Sequence, residues 1–147
     1  MYEGIDKALK EGATLRIYRN GAGLRCVFLE VGKDPTGTVK GCARMPQLIP
    51  ALVVASLDYL AGGLKADQPY LTGSSECESD LDRWILQGNK ISGQYDRKQK
   101  LVRIEKRTAT DEVVAHSEKP TFYEAIDTLD NIYKSFTKFE ETLVTPS

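Results

Sequence analysis

The chain is poor in histidine and tryptophan, carries few cysteines and contains no long apolar run: one His, one Trp and three Cys stand among 147 residues. Each scarcity excludes something. His116, the sole imidazole, lies in a strand-like run between Ala115 and Ser117 and reads as a structural or surface histidine, so no Ser-His-Asp arrangement can be built. Cys26, Cys42 and Cys77 are odd in number and fit no metal spacing. Two of them sit in apolar strands, where a reduced thiol behaves as a small hydrophobe. The longest apolar stretch, Leu48–Ala61, is interrupted by Pro50, Ser56 and Asp58 and is too short to span a bilayer, so no membrane partner is expected. Gly21-Ala22-Gly23 is followed by a strand and not by a helix N-terminus, which removes the P-loop. Glu76, Glu78, Asp80 and Asp82 alternate in a way that suits neither a calcium loop nor one helical face, and acid around the first turn of a helix is favourable without any ion. No enzyme, no cofactor and no metal is expected. The opening Met1–Asp6 lacks the basic and apolar regions of a signal peptide, which points to the cytoplasm, or to the nucleus or nucleoid if the protein binds nucleic acid.

What is present is a layout that occurs twice. A short helical pattern closed by glycine (Gly4–Lys10 before Gly12, Ser79–Gln87 before Gly88) opens each half. Three strand-like runs follow: Thr14–Arg19, Leu24–Val31 and Thr38–Arg44, then Lys90–Tyr95, Leu101–Lys106 and Glu112–Ser117. A proline, Pro46 or Pro120, precedes a longer helix in each half, and Leu57-Asp58 there is echoed by Leu129-Asp130. The offsets are 76 for the glycines, 74 for the prolines and 72 for the Leu-Asp pairs. A repeated unit of this size must bury its open face against its copy. The expected fold is α+β: an internal duplication of an (α)βββα unit, with antiparallel sheets packed on two long helices. It is a single domain over 1–147, with repeats at about 1–62 and 79–140, a linker at 63–78 and a frayed tail from Thr142. Turns are expected at Asn20–Gly23 and at Asp34-Pro35-Thr36-Gly37. In the last helix, Thr121–Phe136, Thr121 and Glu124 form a capping box, and Phe122, Ile126, Leu129, Tyr133 and Phe136 share one stripe.

The charge is segregated. Thr14–Pro46 carries +4 and Lys90–Arg107 carries +5, against a chain total of -1, which leaves -10 for helices, linker and tail. Positive charge therefore sits on strands and hairpin turns, interleaved with tyrosine. That combination suits single-stranded DNA or RNA, whose phosphates take Lys and Arg while bases stack on aromatic faces. The candidate phosphate contacts are Arg16, Arg25, Arg97, Lys98, Lys100 and Arg103, and the candidate stacking platforms are Tyr18 and Tyr95. Lysine and arginine on a solvated sheet face, or guarding an edge strand, are the ordinary alternative.

The stretch Arg19-Asn20-Gly21-Ala22-Gly23-Leu24-Arg25-Cys26-Val27-Phe28-Leu29-Glu30-Val31-Gly32 resembles the strand pair of the PUR repeat, where a strand ends in a short Asn- and Gly-containing turn before an apolar strand closing with Glu-Val. The resemblance implies two intertwined repeats, a layout similar to that of the Whirly proteins, and binding of single-stranded nucleic acid across the sheet. The chain departs from the PUR pattern in having three strands per unit instead of four, an extra leading helix, and a second half that keeps only the pattern.

A second class of function is a protein-interaction module, a small inhibitor or assembly adaptor. The helix around Gln47–Ala61 is apolar nearly all round, and Trp84 lies on a short amphipathic helix. An apolar helix of that kind is either central or covered by another subunit, so a homodimer is expected through Leu48, Ile49, Leu52, Val53 and Val54.

Overall fold

A computed structural model describes residues 2–32, 38–63 and 73–130. The element order is α1 (Glu3–Lys10), β1 (Thr14–Arg19), β2 (Arg25–Val31), β3 (Thr38–Met45), α2 (Leu48–Leu60), α3 (Asp80–Leu86), β4 (Lys90–Asp96), β5 (Leu101–Arg107) and β6 (Val113–Lys119), followed by a helix α4 over 122–130. Hydrophobic period and turn chemistry place these elements close to their sequence-based bounds. Gly12 and Gly88 close α1 and α3 with φ of +104° and +95°, a conformation that costs glycine least. Asn20 Oδ1 accepts from the backbone N–H of Ala22 and Leu24 and shapes the first hairpin. At the start of α4, Thr121 Oγ1 accepts from the N–H of Glu124, one arm of the expected capping box. The Asp34–Gly37 turn, the middle of the linker, the last helix beyond 130 and the tail lie outside the described residues.

The strands form one sheet, not a separate sheet per half. It is six-stranded, antiparallel throughout, in the order β3-β2-β1-β4-β5-β6. The two halves meet at its centre, where β1 pairs with β4 through Leu15↔Gly93, Arg16↔Ser92 and Ile17↔Ile91. Bulges interrupt the pairing at Leu29/Glu30 and at Lys106/Arg107.

Strand alternation divides the sheet into two unlike faces. Leu15, Ile17, Val27, Leu29, Ile91, Val102 and Ile104 point to one side and share a single core with Ile5, Leu9, Leu52, Leu81, Ile85, Phe122 and Leu129 from the four described helices. The opposite face has no described helix on it.

Side chains from other elements cap the helix N-termini. Ser56 Oγ of α2 accepts from the N–H of Gly4 and Ile5 at the start of α1, and Asp130 Oδ1 of α4 accepts from Leu81 N–H at the start of α3. One cap crosses between halves, Phe122 N–H donating to Asp6 Oδ1, and one comes from the end of the linker, Ile49 N–H donating to Glu78 Oε1. The first half and the linker thus supply polar partners to helix N-termini distant in sequence.

Candidate nucleic-acid interface

The helix-free face carries the cluster that matters. Arg16 and Tyr18 alternate with the buried Leu15 and Ile17 on β1, and the register Arg16↔Phe28 and Tyr18↔Cys26 brings Phe28 onto the same side. The Tyr18 and Phe28 rings stack with centroids 5.8 Å apart and planes 9° from parallel. The Arg16 guanidinium lies 5.1 Å over Tyr18 and 5.4 Å over Phe28, and that of Arg44 lies 5.0 Å over Phe28. Cys26, Leu24 and Cys42 pack around the rings in a small core separate from the main one. Burial raises the Tyr18 hydroxyl above its ordinary value of 10.0, against the opposing pull of Arg16 and Arg44, so this aromatic stays neutral.

Beside the cluster a groove of about 630 Å³ runs over β1, β4 and β5, lined by Arg16, Tyr18, Lys90, Ser92, Gln94 and Arg107 among others. Its cations are largely paired. Arg16 meets Glu30 at 2.7 Å, Arg107 meets Glu105 at 3.0 Å and Lys90 meets Asp111 at 3.2 Å. Arg103, on the same face of β5, pairs with Glu118 and lies 3.5 Å from Glu105.

The structure divides the eight sequence-predicted residues into three sets. Arg16, Tyr18 and Arg103 lie on the open face. Arg97, Lys98 and Lys100 form the exposed β4–β5 turn, where Asp96 Oδ1 accepts from the N–H of Lys98 and Gln99, and none of the three has an ion-pair partner among the described residues. Arg25 and Tyr95 lie on the helix side. Arg25 is fully buried: its Nε donates to Asp82 Oδ1 at 2.7 Å, and its Nη1 donates to the carbonyls of Gly23 and Ser74. It has no surface to offer a phosphate, because strand alternation turns it inward and α3 supplies its counter-charge. Tyr95 pairs with Val102, is half-buried and packs against the main core, so it cannot form one platform with Tyr18.

Two residues that belong to the cluster, Phe28 and Arg44, escape sequence reading. The run Leu24–Val31 is apolar on both faces, and nothing in its composition marks Phe28 as facing away from the helices. Only the β1–β2 register does so.

Trp84 is used internally. Its Nε1–H donates to the Lys90 carbonyl at 3.1 Å and its ring lies 4.3 Å under the Lys106 ammonium. Of the acidic residues there, Asp82 is occupied by Arg25, Asp80 by Arg83 and Glu78 at the start of α2. Among the described residues no group of three or more His, Cys, Asp or Glu converges as metal ligands would. No described helix is long and apolar enough to cross a membrane. No family model, curated protein or solved structure matches the chain.

Proposed function

We propose that the protein is a non-catalytic binder of single-stranded nucleic acid, which lies across the helix-free face of the sheet. The observation that carries this reading is the stacked Tyr18–Phe28 pair framed by Arg16 and Arg44. Phe28 is buried, 7% exposed, and backs the Tyr18 ring, so an unstacked base would lie on the partly exposed Tyr18 or on the Arg16 guanidinium plane. Electrostatic tracking is assigned to the β4–β5 turn, where Arg97, Lys98 and Lys100 lack ion-pair partners among the described residues. In register that turn lies about 20 Å along the strands from Tyr18, at roughly 3.4 Å per residue, room for several nucleotides. We read the two halves as copies of one αβββα unit. The reading is supported by the side-by-side central placement of β1 and β4 and by the capping of α1 and α3 from the last helix of their own half.

The ion pairs on the open face lead to a specific expectation. With three available cations the affinity should fall with salt at a slope near -2, since single strands give about -0.7 per neutralised phosphate. Fluorescence anisotropy with a labelled ~20-nucleotide strand, starting at about 50 mM salt, measures it. Lys98→Ala should reduce the slope by about 0.7. Tyr18→Ala should cost on the order of 1–3 kcal/mol and leave the slope unchanged. Tyr95→Phe should change neither. Absence of any complex below about 100 µM would remove the reading.

A further inference from the structure

The open face of the sheet changes character between its halves. The β1–β4 register sets Arg16 opposite Ser92, and the 76-residue step from Gly12 to Gly88 carries Arg16 onto Ser92 as well. With the halves read as copies, the same step carries Tyr18 to Gln94, and across the β1–β2 and β4–β5 registers Phe28 corresponds to Glu105. The second half thus holds a hydrogen-bonding set where the first holds the stacked rings. That set lines the groove of about 630 Å³ beside Tyr18. Its members keep bonding capacity. Ser92 Oγ accepts from Arg107 Nε at 2.9 Å, which leaves its own hydroxyl hydrogen to donate. Gln94 is exposed, and its side-chain amide has no hydrogen-bond partner among the described residues. Glu105 accepts from Arg107 and lies 3.5 Å from Arg103, and a carboxylate has about four acceptor positions to fill.

We propose that the strand bound on this face is RNA, and that Ser92, Gln94 and Glu105 recognise its ribose 2′-hydroxyls. The inference rests on the sheet-face reading and names its substrate. Continuing the β1–β4 register sets Tyr18 level with Lys90, so the path from Tyr18 to the basic β4–β5 turn passes over Ser92 and then Gln94. Charge decides what the strand presents along that path. The carboxylates of Glu30 and Glu105 line the groove and are paired with Arg16 and Arg107, so a phosphate placed there would compete with both ion pairs. The strand therefore turns its sugars to the groove and its phosphates to solvent, until it reaches Arg97, Lys98 and Lys100 at the turn. A ribose hydroxyl offers Ser92 an acceptor, Glu105 a donor and Gln94 either one. Within a strand only the 2′-hydroxyl combines the two, and it is the group by which a protein tells RNA from DNA. Deoxyribose would leave all three side chains facing a methylene.

The test uses the full chain and three labelled ~20-nucleotide strands of uracil alone, with ribose, 2′-deoxyribose or 2′-fluoro sugars, compared by fluorescence anisotropy at about 50 mM salt. Fluorine keeps the sugar pucker of RNA but cannot donate a hydrogen bond, so it separates hydroxyl recognition from strand shape. The ribose strand should bind about tenfold more tightly than either of the others. Ser92→Ala and Gln94→Ala should each weaken the ribose strand about threefold and leave the deoxyribose strand unchanged. Tyr18→Ala should weaken all three by the same factor. The salt slope should be common to the three strands, because no phosphate contact differs among them. Equal affinity for the ribose and deoxyribose strands overturns the inference and spares the sheet-face reading. So does a fluoro strand that binds like the ribose one, or a Gln94→Ala loss shared by all three. Absence of any complex below about 100 µM with every strand removes both. The comparison among strands is made on the natural sequence and does not depend on any variant folding.

Discussion

At the scale of single residues, buried charge decides most. Arg25 and Asp82 have fully buried side chains, and besides its bond to Asp82, Arg25 holds the carbonyls of Gly23 and Ser74. Removing one partner strands the other charge in a dry site. Arg25→Ala and Asp82→Ala should each lower the unfolding free energy in urea by about 3–5 kcal/mol, and the double variant should lose much less than their sum. Lys106, on the helix side of β5, is also buried, and it lies over Trp84. Desolvation lowers its pKa from the ordinary 10.5 to about 8, while Asp80 and Asp130 oppose the shift. The folded state therefore binds fewer protons than the unfolded chain between about pH 8 and 10.5, and the Lys106 contribution to stability rises with pH across that window. Below it the penalty is constant. Lys106→Met should be the more stable protein at pH 7, and its advantage should shrink from pH 8 upward; an advantage independent of pH would contradict this account.

At the scale of elements, close approach matters more than propensity. A Cβ added to Gly4 would sit 2.0 Å from the Ser56 carbonyl oxygen, so α1 rests on the backbone of α2. Alanine favours a helix by up to about 1 kcal/mol over glycine, yet Gly4→Ala should destabilise by about 1–3 kcal/mol, because α1 must lift from Ser56 and weaken its cap. Thermal unfolding checks the sign. Helix α2 itself is split along its length. Leu48 and Leu52 face the internal core, whereas Leu57, 61% exposed, and Leu60 do not. Self-association is therefore expected through the C-terminal half of α2. Light scattering at about 100 µM should give the mass of two chains for the natural sequence and of one chain for Leu57→Asp with Leu60→Asp. A natural chain that is monomeric there would remove the homodimer.

At the scale of the whole molecule, the charge segregation visible along the chain is largely neutralised by pairing: Arg16, Arg103 and Arg107 meet Glu30, Glu118 and Glu105 on the open face, and Arg25 meets Asp82 on the helix side. The arginine-framed aromatics lie on the open side of the sheet. The sequence by itself determined the elements and their order, because amphipathic period, glycine helix ends and turn residues act within a few residues of one another. Thr14–Arg19 is read with the bounds it has in the structure, and α2 to within a residue at each end. It also located the basic segments. Tertiary structure alone decided which basic residues are available. Arg16 and Arg25 look alike in sequence, but strand alternation and the β1–β2 pairing put one beside Phe28 on the open face and the other against Asp82, 57 residues away. The β1–β4 and β4–β5 registers likewise separate the two tyrosines, leaving Tyr18 on the open face and turning Tyr95 to the core. Pairing across the sheet depends on contacts distant in sequence, and a single residue of register inverts every side chain, so local pattern cannot supply it.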